Sequence, residues 1–208
     1  MQTILKYGIL LLFTAFYSAG ANAQDCFDPS PTAKTGSEYP PIRTRKLTKT
    51  EYRNIRNLLE SMKGELKGTG EEISCRGNKS EPLPEVVRYT IKAKSTLDHF
   101  GHFRMEIDLY APEERVTHAE TQDFYVTEKH FRADSENSAG DVEFMEISDD
   151  VIAYRQRRAL GGSAMYGTPS KGEKFTTIHR VDDGFVFIQS FYFQGIHSGK
   201  KEWHLSNF

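Results

Sequence analysis

A period-two alternation of apolar and polar residues runs through much of the chain after Cys75, and it constrains the fold more than any other feature. In residues 87–93 and 103–109, every second residue is apolar and the residues between them are charged or polar. Such alternation is typical of strands that bury one face and expose the other, as is usual in antiparallel sheets. The sequence therefore predicts a mainly β fold of the α+β class.

Short turn signals divide this region into about eight strands. Asp182-Asp183-Gly184 is the clearest turn, and Ser148-Asp149-Asp150 is a second one. The candidate strands are 87–93, 103–109, 121–127, 142–147, 151–158, 175–181, 185–196 and about 201–207. Because no helical pattern separates them, we expect an antiparallel meander over residues 85–207. A sheet of this width exposes two long edges unless it curls, so a strongly curved sheet or a closed barrel is predicted.

In general architecture, this arrangement resembles lipocalin-like barrels and other ligand carriers. The resemblance lies in the antiparallel meander and in the export signal described below. No motif of those proteins can be placed on individual residues of this sequence, so the resemblance implies no binding residues.

One amphipathic helix is predicted before the strands. Thr48 and Glu51 form a capping box, and Leu47 and Tyr52 supply the hydrophobic staple around it. Apolar residues then recur at spacings of three and four as far as Leu66, which predicts a helix over residues 48–66. Gly64 or Gly68 is expected to end it.

The N-terminus has the pattern of an export signal. Lys6 precedes a short apolar core, and Ala21-Asn22-Ala23 is a typical cleavage site, so residues 1–23 are predicted to be a signal peptide cut after Ala23. Residues 24–47 form a proline-rich extended arm, and residues 48–208 a single domain. The expected location is periplasmic or secreted.

Charge, hydropathy and cysteine content limit the classes of partner and the cellular compartment that we expect. The net charge of −2 argues against nucleic acid, which usually requires a basic face. No apolar run is long enough to span a bilayer, so we do not expect an integral membrane protein. Cys26 and Cys75 predict one disulfide in an oxidising compartment, with a catalytic or metal-binding pair as the weaker alternative.

The aromatic strand 185–193 is the most suggestive candidate site. Its apolar residues occupy both faces, and one face has a single polar member, Gln189. The predicted ligand-binding residues are Phe185, Phe187, Gln189, Phe191 and Phe193, with Tyr89, Phe103 and Met105 from neighbouring strands. An apolar concavity with few polar groups is the usual form of a small-molecule site. The alternative, favoured by the general behaviour of phenylalanine, is that these rings only fill the core.

Two further segments could contact partners. Residues 159–173 form a glycine-rich loop with Met165 and Tyr166 at its apolar tip, which suggests a lid, a partner-binding loop or an ordinary connection. Arg155 and Arg157 share one strand face and could bind an anion, although a charged edge strand is the preferred interpretation.

Nothing in the sequence argues for an enzyme. There is no Gly-x-Ser-x-Gly nucleophile motif, and the histidines, including His99 and His102, lack the spacing of a metal site. We expect no metal and no cofactor. The leading hypothesis is an exported soluble protein that binds a small apolar or amphipathic ligand in a curved sheet. The alternative is a periplasmic interaction or inhibitor protein of the immunity type, acting through a loop, the arm or an edge strand.

Overall fold

The computed structural model describes residues 26–32, 41–135, 140–160 and 170–207. This part of the chain contains one helix, α1 (Lys49–Ser61), and ten strands. The strands are β1 (Gly64–Asn78), β2 (Glu81–Leu97), β3 (His102–Ala111), β4 (Val116–Val126), β5 (Phe131–Ser135), β6 (Glu143–Ile147), β7 (Val151–Leu160), β8 (Ser170–Val181), β9 (Gly184–Phe193) and β10 (Ile196–Asn207). The predicted signal peptide lies outside the described residues.

All ten strands form one antiparallel sheet in the order β5-β4-β3-β2-β1-β10-β9-β8-β7-β6. The sheet is curled into a half-barrel, which confirms the predicted fold class. Its two edges approach each other, since Arg132 forms a bridge with Asp141 and the Phe131 ring lies 5.3 Å from that of Phe144. Curling therefore brings the edge strands β5 and β6 near each other, although they are not neighbours in the strand order of the sheet.

The predicted end of the helix is wrong. The capping box of Thr48 and Glu51 is confirmed, but the helix ends at Ser61, with Met62 as its C-cap. Gly64 has a φ of +118°, a conformation that glycine tolerates, and it begins β1. Leu66 therefore lies on a strand, and its place on the helical stripe was coincidental. The sheet accordingly starts at Gly64 rather than near residue 85, and it has ten strands rather than about eight.

The glycines of β1 explain why its sequence does not predict a strand. A Cβ atom at Gly70 would lie 2.5 Å from Trp203 Cδ1, and one at Gly68 would lie 1.8 Å from the backbone oxygen of His204. These positions must remain glycine because the neighbouring strand approaches so closely. The same glycines remove the apolar alternation by which a strand is recognised.

Three other boundaries change. Strand β7 continues to Leu160 and β8 begins at Ser170, so residues 159–173 are not all loop. Strand β9 ends at Phe193, and β10 already begins at Ile196, because a tight turn separates them. Met165 and Tyr166 lie outside the described residues.

The hydrophobic core lies on the concave face of the sheet. One end of the half-barrel is closed by α1, whose residues Ile55, Leu58 and Leu59 are fully buried against this face. The Ser95 hydroxyl donates to the Met62 carbonyl and so ties the end of the helix to β2. At the opposite end of the concave face, no helix lies among the described residues, and we call this end the open end.

The N-terminal arm is fastened to the convex face. Cys26 forms the predicted disulfide with Cys75, and Pro29 bridges Ile196 on β10. Further along the arm, Ser30 and Thr32 donate hydrogen bonds to the carboxylate of Glu173. The disulfide therefore belongs to a longer contact between the arm and the sheet.

Arg155 and Glu173 form a buried ion pair beneath this arm. Arg155 Nη1 lies 2.6 Å from Glu173 Oε1, and their side chains are 3% and 0% exposed. Arg155 also pairs with Glu143 and donates to the carbonyl of Pro41. The preferred interpretation of Arg155 as an edge charge is therefore wrong, because β7 lies between β6 and β8 and the arm covers the side chain.

Candidate functional site: the polar end of the concave face

A row of polar side chains crosses the concave face on five adjacent strands. Strand pairing places Tyr154, Thr176, Gln189, Lys201 and Glu72 opposite one another in succession on β7, β8, β9, β10 and β1. Side chains alternate along a strand, so the first four lie on the same side as the buried core residues two positions away, which are Ile152, Ile178, Phe187 and Trp203. By the same alternation, Glu72 lies on the same side of β1 as the buried Leu66. We call this set the polar row.

The apolar core begins immediately on the helix side of the polar row. The adjacent row contains Ile178, Phe187 and Trp203, which are fully buried, and the Phe187 and Trp203 rings stack at 5.1 Å. The polar row is therefore the boundary between an aromatic interior and the end of the half-barrel that the helix does not close.

An ion cluster of Lys201, Glu72 and Glu120 spans the interior at this boundary. Lys201 Nζ lies 3.3 Å from Glu72 Oε2 on the adjacent strand and also pairs with Glu120 on β4. Three strands separate β4 from β10 in the sheet, so Glu120 reaches Lys201 across the concave side. The Lys201 side chain is 15% exposed, which leaves the cluster accessible from the open end.

Burial and nearby carboxylates raise the pKa of the Tyr89 hydroxyl. Its ring belongs to the core cluster, and burial is the main cause that raises the pKa of its hydroxyl to about 12. The carboxylates of Glu72, Glu114 and Glu120 raise this pKa further because they oppose formation of a phenolate. Three carboxylates therefore lie close enough to Tyr89 to act on its hydroxyl.

Several buried polar atoms near the ion cluster have no hydrogen-bond partner in the described part of the chain. On the polar row this atom is Gln189 Nε2, and beside the row they are Gln156 Oε1 and Trp203 Nε1. A buried polar group without a partner costs about 1–3 kcal/mol, so native proteins contain few of them. Three such atoms on the concave face are a local concentration that needs an explanation.

The structure places every described residue of the predicted ligand site on the concave face, but at different depths. Phe103 and Met105 lie deep in the core, where Phe103 stacks on Phe124 at 5.7 Å. Tyr89, Phe185 and Phe187 are also buried, and Gln189 lies on the polar row. Phe191 is half-buried at the open end and Phe193 is exposed. The assignment of these eight residues to a ligand site stays a prediction.

Sequence reasoning missed Lys201, Glu72 and Glu120. A signal for Lys201 was available, because it precedes Trp203 and Leu205 at a spacing of two and must share their buried face. No such signal existed for Glu72, since β1 itself was not recognised. Glu120 is brought to Lys201 only by the curl of the sheet.

A second depression lies outside the half-barrel. It is lined by Arg53, Asn57, Glu60 and Ser61 of α1 and by Asp149 and Arg180. Arg180 is paired with Asp150, and the lining mixes both charges, which favours no ligand of one sign. Within the described ranges, no group of three or more potential metal ligands occurs.

Two comparisons with known proteins found no match for this chain. It matches no protein-family model and no curated protein. Among the described residues, no helix is both long and apolar enough to cross a membrane.

Proposed function

We propose that the chain is an exported binding protein that holds a small apolar or amphipathic ligand on the concave side of its half-barrel. The observation that carries this proposal is the patch of unpartnered polar atoms beside the ion cluster, at the boundary of an aromatic interior. Apolar walls with a few convergent polar groups are the usual composition of a small-molecule site.

The position of Phe191 supports entry of the ligand from the open end of the half-barrel. Phe191 follows Gln189 on the concave face of β9 and remains half-buried, whereas the rings nearer to the helix are fully enclosed. A ligand that inserts an apolar group beside Phe191 would meet the polar row next. The deeper rings, Phe187 and Trp203 among them, would form the floor of the site.

Native mass spectrometry of the purified protein, compared with the same sample after denaturation, tests this function. We expect a co-purified small mass, or binding of an apolar fluorescent probe that quenches Trp203, the one tryptophan of the sequence. The variant Phe191→Ala should weaken probe binding, whereas Ile188→Ala, on the opposite face of the same strand, should not. A clean mass together with no affinity for any apolar probe would refute the proposal.

Export is the second part of the proposal, and the disulfide supports it. Disulfides persist in oxidising compartments and are rare in the cytosol. Expression of the full chain with its native N-terminus should yield an exported protein that begins at Gln24. Intact-mass measurement of the exported fraction checks this, and retention of Met1 in a cell-associated protein would contradict it.

A protein-interaction role is the alternative function, and one observation favours it. Strand β6 lies at an end of the sheet and carries Met145, which is 59% exposed. Terminal strands with exposed apolar residues can add a strand from a partner. Pull-down from the exported fraction with wild type and with Met145→Asp distinguishes this role, because only the wild type should retain a partner.

A further inference from the structure

We propose that the ligand's polar group is an uncharged hydrogen-bond acceptor, such as an ester, amide, ketone or alcohol oxygen, rather than a carboxylate, a phosphate or an amine. This inference rests on the proposed binding function and specifies the chemical class of ligand for the same site. It follows from two independent properties of this region, which are the charge of the ion cluster and the kind of unpartnered atom on and beside the polar row.

The charge of the ion cluster disfavours an anionic ligand. Glu72 and Glu120 together contribute two negative charges, and Lys201 contributes one positive charge that both carboxylates already engage. Lys174, the other buried basic residue on this face, is itself engaged in an interaction. An entering carboxylate would add a third negative charge in a partly desolvated region, where repulsion is stronger than in water.

The unpartnered donors require an acceptor. Gln189 Nε2 and Trp203 Nε1 are donors only, and neither has a partner within the described ranges. Gln189 is 3% exposed and lies opposite Lys201 on the adjacent strand, so the two side chains are neighbours on the same face of the sheet. A neutral ligand oxygen would satisfy such a donor without adding charge.

A cationic ligand fits less well for the same two reasons. An ammonium group would have to displace the tethered Lys201 from its carboxylates, and it would still supply no acceptor to Gln189 or Trp203. Because both donors are enclosed, the ligand oxygen must reach them by moving the side chains at the open end. Phe191 and Lys201 are the partly exposed ones.

Three probes with the same alkyl chain test the inference by titration calorimetry below their aggregation concentrations. Monodecanoylglycerol carries the neutral acceptor, decanoate the anion and decyltrimethylammonium the cation. We expect monodecanoylglycerol to bind at least about tenfold more tightly than either charged probe. Equal or tighter binding of decanoate or of decyltrimethylammonium would overturn the inference and leave the binding function intact. No binding of any probe would overturn both.

Charge variants provide a second test that does not depend on the absolute affinity. The double variant Glu72→Gln with Glu120→Gln leaves Lys201 as the only charge of the cluster, so decanoate affinity should rise about tenfold or more. The matched control is Glu71→Gln, since Glu71 precedes Glu72 and lies on the opposite face of β1. If the double variant still prefers monodecanoylglycerol to decanoate by the same factor as the wild type, the ion cluster does not select the charge of the ligand.

The variant Gln189→Leu separates ligand recognition from folding. Because the Gln189 amide has an unpartnered buried donor in the described structure, its replacement by an apolar side chain of similar size should leave the unfolding midpoint unchanged or raise it. Its affinity for monodecanoylglycerol should fall several-fold. Unchanged affinity in a folded variant would show that Gln189 does not contact the ligand.

Discussion

Removal of the Glu173 carboxylate should be among the most destabilising single substitutions in this chain. Glu173 is fully buried and accepts hydrogen bonds from Ser30 at 2.8 Å, from Thr32 at 2.7 Å and from Arg155 at 2.6 Å. Loss of one partner of a buried ion pair costs about 3–5 kcal/mol, because the remaining charge stays buried. Since Glu143 still pairs with Arg155, we expect Glu173→Ala to cost close to 3 kcal/mol.

Urea unfolding followed by the fluorescence of Trp203 measures this cost, since the indole is fully buried and stacked on Phe187. The midpoint should shift while the slope stays constant, because the unfolding transition exposes the same surface. Glu146→Ala is the matched control. This acidic residue on β6 is exposed, and its removal should change stability by less than about 0.5 kcal/mol.

Two outcomes of the Glu173 experiment would refute the reasoning. A loss below about 1 kcal/mol in Glu173→Ala would mean that water or another group replaces the carboxylate. The double variant Arg155→Met with Glu173→Met removes both charges and should be less destabilised than Glu173→Ala. If the double variant is the less stable of the two, the cost does not come from an uncompensated charge.

Three further predictions concern β1, the arm and the helix cap. Gly70→Ala should lower the free energy of unfolding by about 1–3 kcal/mol and perturb the emission of Trp203, because the new methyl group meets the indole; unchanged emission and stability would contradict this close approach. Replacement of Cys26 and Cys75 by serine opens a loop with a sequence separation of 49, and the chain-entropy model predicts a loss of about 4 kcal/mol in urea unfolding. Hydrogen bonds from Arg45 chiefly, and from Thr48, lower the pKa of Glu51 to about 2 from its ordinary value of 4.5. Its charged form therefore stabilises the fold above about pH 4.5, and this contribution is lost as the pH falls toward 2. The difference in thermal stability between wild type and Glu51→Gln should accordingly shrink as the pH falls from about 4.5 to about 2. A difference that does not change with pH would argue against the lowered pKa of Glu51.

The fold class and the disulfide could be predicted from the sequence because their signals are local or compositional. Alternation in residues 87–93 and 103–109 identifies two strands directly, since a residue's face follows from its position along the strand. The capping box of Thr48 and Glu51 is likewise a contact between residues three apart. Two cysteines permit one intramolecular pairing, and the structure contains it.

The candidate site could be predicted only in part. The aromatic neighbours of Gln189 on one strand predict it as a ligand-binding residue, and this stays a prediction. Its position beside an ion cluster follows only from the structure, because Lys201 lies opposite it and Glu120 reaches Lys201 across the interior. Arg155 shows the same dependence, because only the path of the arm turns an expected edge charge into a buried ion pair.

The sequence by itself determined which face of most strands is buried, where the helix begins and which cysteines pair. The tertiary structure decided how far the sheet curls, that β1 exists and pairs with β10, and which charges meet in the interior. The physical reason is that alternation and capping act over a few residues of one segment. Curling instead joins side chains such as Glu120 and Lys201, which are 81 residues apart, and no local pattern encodes that contact.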